Sequence, residues 1–242
     1  MIDGFYQLRF KAITGYFLRQ RLSFWFILLY LVFEHLRPQG MYPTIDVIPW
    51  TQTILIIATI FAVLEGRIFR VKNYSNALIN IFFVIIIVSS LFALSPATSF
   101  SKIKFFIILF LVYYLITNIV DSEERLFIFV LLLLLLNLKL SQFVFRGWLG
   151  RGFEYEASGA AAGMGWLENS GELAIQMCIV FSISTFFLTS LRKGLNTIKR
   201  TFLLLMPITF AGSVLACGSR GSLLALGGVI LAMLVVSKRK IL

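Results

Sequence analysis

One arginine interrupts the longest apolar stretch of this chain. Across residues 201–236 the only charged side chain is Arg220, set in Cys217-Gly218-Ser219-Arg220-Gly221-Ser222. Two glycines permit a tight turn. A helix opening at Ser222 would present a capping hydroxyl and free backbone N–H groups beside a permanent cation, a combination suited to phosphate. The plainer reading of Arg220 is a helix-end arginine that reaches back to the water interface.

Two further groups of residues could serve the same chemistry. Arg146 and Arg151 bracket Gly147-Trp148-Leu149-Gly150. Tryptophan between arginines reads as an anchor at the headgroup level, or the two arginines add a second and third cation for a doubly charged diphosphate. Glu168-Asn169-Ser170-Gly171-Glu172 reads as a helix cap with acids favoured by the helix dipole. Its functional alternative makes Glu168, Asn169 or Glu172 a sugar hydrogen-bonder or an arginine partner. The single His35 excludes a histidine metal cluster, and beside Pro38 it reads as structural. Cys178 and Cys217 lie within or beside apolar segments and read as small buried hydrophobes rather than a disulfide or metal pair.

The elements that must position these residues follow from composition. The chain of 242 residues is 59% hydrophobic and 14% charged, with a mean hydropathy of +0.92. Soluble domains carry about 25% charged residues, so the expected class is an all-α polytopic membrane protein. The net charge of +11 is spread between apolar segments rather than gathered on one face, which excludes a soluble nucleic-acid binder. Residues 1–21 form a basic, partly amphipathic lead-in without the pattern of a cleaved signal peptide.

Eight apolar segments are expected to be helical spans, at 22–36, 50–64, 76–94, 103–120, 126–145, 171–190, 201–217 and 222–236. They make one transmembrane helical domain over 22–242. An even count leaves both termini on one side. The loops of that side hold fifteen of the 22 basic residues, at 9–21, 67–72, 125, 192–200 and 238–240. The positive-inside rule makes it cytoplasmic. The opposite face then carries Arg37, Lys102, Lys104, the 146–170 loop and Arg220. Asn137 is the main polar residue at depth, and Lys139 lies nearer the outer end of its span. An ion-coupled transporter would place more charge at the midplane.

Three blocks resemble O-antigen ligase-like membrane glycosyltransferases, in particular the O-glycosylation ligase branch associated with exosortase systems. They are Glu34-His35-Leu36-Arg37-Pro38-Gln39 with Tyr42-Pro43, Asn169-Ser170-Gly171-Glu172-Leu173-Ala174, and Gly218-Ser219-Arg220-Gly221-Ser222-Leu223-Leu224-Ala225-Leu226. The resemblance implies a bacterial inner-membrane enzyme that moves a glycan from undecaprenyl diphosphate to a lipid A–core or protein acceptor on the periplasmic side. No metal, nucleotide sugar or other cofactor is implied. By the same resemblance Arg220 holds the donor diphosphate, with Arg146 and Arg151 as weaker counterparts. Relatives continue into further spans and a periplasmic loop with an acceptor-activating histidine. This chain ends at Leu242 before that region, so no catalytic base is assigned and His35 does not inherit the role. A lipid-linked glycan polymerase, a transport half and a non-catalytic subunit that binds lipid diphosphate remain alternatives.

Overall fold

The computed structural model describes residues 5–68, 70–155, 169–191 and 195–236. Every regular element among them is helical. In chain order they are α1 (Phe10–Phe17), α2 (Leu22–Leu36), the single turn α3 (Pro38–Met41), α4 (Trp50–Leu64), α5 (Tyr74–Leu91), α6 (Pro96–Ile119), α7 (Glu123–Gly150), α8 (Ser170–Leu191), α9 (Thr197–Ala216) and α10 (Arg220–Val236). A 3₁₀ turn, Pro43–Ile45, follows α3. Each of the eight expected apolar segments falls on a helix, although α5 ends at Leu91, short of the expected limit at 94. Five of these helices, α5 to α9, are long and apolar enough to cross a membrane, or six spans are reached if the bent pair near the N-terminus counts as one. The all-helical class therefore holds, with five or six helices able to cross a membrane. At 15, 15 and 17 residues, α2, α4 and α10 fall short of the ~20 residues that a perpendicular span needs.

Local chemistry sets the helix ends. Asn73 accepts the Asn76 N–H at 2.8 Å and opens α5. Pro96 occupies the first turn of α6, where its missing N–H costs nothing. Asn196 accepts the Thr197 N–H at 2.7 Å at the start of α9. The C-terminus of α9 closes at Gly218, whose φ of +65° lets its N–H turn back to the Leu215 carbonyl at 3.1 Å.

The described chain divides into two compact units. The first comprises Met1–Arg19, Leu31–Thr44 and Val130–Leu242. Its core is built from Leu134, Leu173, Met177, Val180, Leu203, Met206, Phe210 and Val214, all under 2% exposed. Here α8 packs against α9 and α10. Polar side chains join the helices where no water competes. The Ser213 hydroxyl donates to the Ser141 carbonyl at 2.8 Å, joining α9 to α7. Gln176 Nε2 donates to Asn137 Oδ1 at 3.3 Å, joining α8 to α7 and partnering the one fully buried asparagine at depth. Gly212 lies under the Phe145 ring, and a Cβ there would come within 2.7 Å of Cε2. The lead-in is tied down by Lys199, whose ammonium donates to the Gln7 and Leu8 carbonyls at 2.9 and 3.1 Å.

The second unit comprises Gln20–Tyr30 and Ile45–Phe129, with Phe24, Ile27, Leu55, Ala58 and Ile119 at its core. In it α6 packs on α4 and α5. Tyr113 donates to Asn76 Oδ1 at 2.8 Å and Tyr114 to Asn80 Oδ1 at 2.6 Å across the α5–α6 hairpin.

Candidate functional site

All the described candidate residues fall in the first unit. Arg220 departs from its expected setting. It is the first residue of α10 rather than part of the turn, and Ser222 is not the cap. Ser219 precedes the helix, its carbonyl accepts the Leu223 N–H at 3.1 Å, and its hydroxyl accepts from Ser222 Oγ at 3.0 Å. The pairing of these two serines, three residues apart, satisfies the hydroxyls locally and draws Ser222 inward, to 4% exposure. Arg220 is exposed and makes no hydrogen bond or ion pair among the described residues. A cation on the first turn opposes the helix dipole, so its charge is uncompensated twice over.

The turn before Arg220 is held by an aromatic cap. The α7 helix ends at Gly150. Gly152 and Phe153 both take φ near +67°, and the Phe153 N–H returns to the Trp148 carbonyl at 3.0 Å. This reversal stacks Phe153 edge-on to Trp148 at 4.9 Å and brings Tyr155 to 5.8 Å from the same ring. Tyr155 in turn covers Gly218, where a Cβ would meet Cδ1 at 2.9 Å. Trp148 therefore centres a cluster instead of standing alone as an anchor, because the chain folds back over it. Its indole Nε1 is buried without a partner among the described residues.

The same reversal places Arg146 and Arg151 on the segment that covers the Arg220 turn. Both are exposed. Arg151 lies along its own helix end, with Nη1 at 3.4 Å from where a Gly147 Cβ would stand. Arg146 makes no hydrogen bond or ion pair among the described residues. The structure thus gathers the segment that bears Arg146 and Arg151 and the turn before Arg220 at one end of this unit.

The acidic candidates are not brought into that cluster. Glu168 lies outside the described residues. Asn169 is a helix cap: its Oδ1 accepts the Glu172 N–H at 2.8 Å, and the Glu172 side chain is exposed. His35 Nδ1 lies 3.0 Å from the Leu31 carbonyl, so this nitrogen carries the proton, and Nε2 is buried without a partner among the described residues. The two cysteines are free and buried. No group of three or more metal-ligating side chains occurs among the described residues.

An apolar groove of about 620 Å³ between α8 and α10 is lined by Ser182, Thr185, Phe186, Val229 and Met233. It lies toward the opposite ends of those helices from Arg220 and contains no charged side chain, so it is separate from the arginine cluster.

One charged cluster in the second unit escaped the sequence reading. Asp121 accepts from Arg67 Nη1 at 2.7 Å and from Arg125 Nη1 at 2.6 Å, and both arginines are buried. Glu65 accepts the Ser23 N–H and hydroxyl at 3.1 and 2.6 Å. The i,i+4 spacing of Asp121 and Arg125 is its one local signal.

Compared with models of known families, with curated proteins and with solved structures, the chain matches none.

Proposed function

We propose that this protein binds a polyprenyl diphosphate at the Arg220 end of its first unit and acts as an O-antigen ligase-type membrane glycosyltransferase. The observation that carries the reading is Arg220 itself: an exposed, uncompensated cation at a helix N-terminus, beside the segment bearing Arg146 and Arg151. A diphosphate would complement both the guanidinium and the helix dipole. The three sequence blocks described above support the same reading.

In this reading all eight apolar helices cross the bacterial inner membrane, both termini are cytoplasmic and the arginine cluster faces the periplasm. An acceptor hydroxyl or amide of lipid A–core or protein attacks the anomeric carbon of the donor sugar. The carbon–oxygen bond to undecaprenyl diphosphate breaks, and its electron pair leaves with the phosphate. Arg220, helped by Arg146 or Arg151, stabilises that developing charge. The acceptor's proton goes to a base that no described residue supplies. No metal or cofactor is required.

The test is native mass spectrometry of purified protein in mild detergent with undecaprenyl diphosphate, and with undecaprenol as the uncharged control. Diphosphate-selective binding that falls at least tenfold in Arg220→Ala is expected. Equal binding of both lipids, or no effect of Arg220→Ala, would remove the reading. Selective binding without glycan transfer would instead favour a lipid-handling subunit.

A further inference from the structure

The longest helix carries a charge that no other described residue satisfies. Arg125 and Arg146 bracket a stretch of α7 about 30 Å long at ~1.5 Å per residue, the thickness of a bilayer core. Lys139 lies inside that stretch, roughly 10 Å short of Arg146. It is exposed and makes no hydrogen bond or ion pair among the described residues. Its neighbours one turn away on the same face, Leu135 and Phe143, are 40% and 49% exposed. The polar residues of the opposite face, Asn137 and Ser141, are fully buried.

Lipid alone satisfies this lysine poorly. Ionisable residues at membrane depth normally face a protein interior or pair with one another. Side chains on a helix lean toward its N-terminus, which here points Lys139 away from the nearer end of α7 and hence from the nearer headgroup layer. Leu135, Lys139 and Phe143, spaced by four, instead form a ridge of the kind that packs into the groove of another helix.

We propose that the Leu135–Lys139–Phe143 ridge docks a transmembrane helix from outside these 242 residues, and that this helix carries an aspartate or glutamate at the depth of Lys139. Charge complementarity selects the occupant. The eight acidic residues among the described residues lie at helix ends or between helices. The two nearest to a membrane setting, Glu34 and Glu172, sit within one turn of the ends of α2 and α8. Lys139 is three turns from the end of α7, so the described residues of a second copy offer no matching acid. The proposal is independent of the glycosyltransferase reading.

The experiment uses a synthetic leucine-rich transmembrane peptide with one glutamate at the depth of Lys139, and its glutamine and leucine versions. Binding to the full chain in nanodiscs is read by energy transfer between fluorophores. The glutamate peptide is expected to bind at least tenfold tighter than the leucine peptide, and Lys139→Met should abolish the difference. Lys139→Glu should reverse it in favour of a lysine peptide. Lys139→Met alone should leave the melting temperature unchanged or raised, since it removes an uncompensated charge; a lowered value would make Lys139 an internal structural residue and overturn the proposal. Equal binding of the three peptides would overturn it as well. So would loss of a tightly bound anionic phospholipid from Lys139→Met in native mass spectrometry with no change in peptide preference, which would assign the lysine to lipid.

Discussion

The Tyr155 ring rests on the bare backbone of Gly218, so close that a Cβ on that residue would stand 2.9 Å from Cδ1. Gly218 also holds a φ of +65°. Two independent constraints thus require glycine immediately before the helix that starts at Arg220. Gly218→Ala should cost about 1–3 kcal/mol, combining left-handed strain with a steric clash. Thermal unfolding in mild detergent checks this. Adding Tyr155→Ala should recover the clash component and leave the strain, so full recovery would show that the backbone tolerates alanine.

Arg220 opposes the dipole of its own helix. Arg220→Glu should therefore raise stability by about 0.3–1 kcal/mol while abolishing selective diphosphate binding. Stability and ligand binding measured on one preparation separate the two effects. A loss of stability would mean that the arginine has a structural partner.

Asp121 is shared by two arginines whose side chains are each 10% exposed. Asp121→Asn leaves buried Arg125 without its carboxylate partner and Arg67 with only the longer 3.8 Å pair to Glu65, and should destabilise the second unit by about 3 kcal/mol. Replacing Asp121, Arg67 and Arg125 together by leucine or methionine should cost less than this single change. Chemical unfolding of the two variants side by side decides the point.

Ser213 and Gly212 hold α9 against α7 through a hydrogen bond and a close ring contact. Ser213→Ala should cost about 0.6 kcal/mol, the usual scale for such bonds in membranes. Gly212→Leu should cost several-fold more, because the Phe145 ring must leave its place. Unfolding midpoints in the same detergent would rank the two variants, and a Ser213→Ala effect larger than Gly212→Leu would contradict the packing.

Cys217 is a free thiol that is only 1% exposed. Folded protein at pH 8 should resist maleimide at this site and react after denaturation.

The helices themselves were legible in the sequence. The limits of α2 and α4 coincide with the apolar stretches 22–36 and 50–64, because proline, glycine and charged residues end the runs where the backbone must leave the helix. The isolation of Arg220 was equally legible, since it is the only charge in a 36-residue stretch. The cap of Asn169 on Glu172 was readable from local spacing.

Tertiary structure decided what the local pattern could not. Arg220 enters the helix because Ser219 and Ser222 pair with each other, and either serine alone could have served as the cap. Trp148 becomes the centre of an aromatic cluster only because Gly152 and Phe153 turn the chain back. Arg67 and Arg125, which read as topology charges, are buried around Asp121 by helices that meet from distant parts of the chain. Apolar runs and single charges report a residue's preference for lipid or water, which is local. Whether a charge meets an anion, a ring or nothing depends on which helices become neighbours, and that is set by packing over the whole unit.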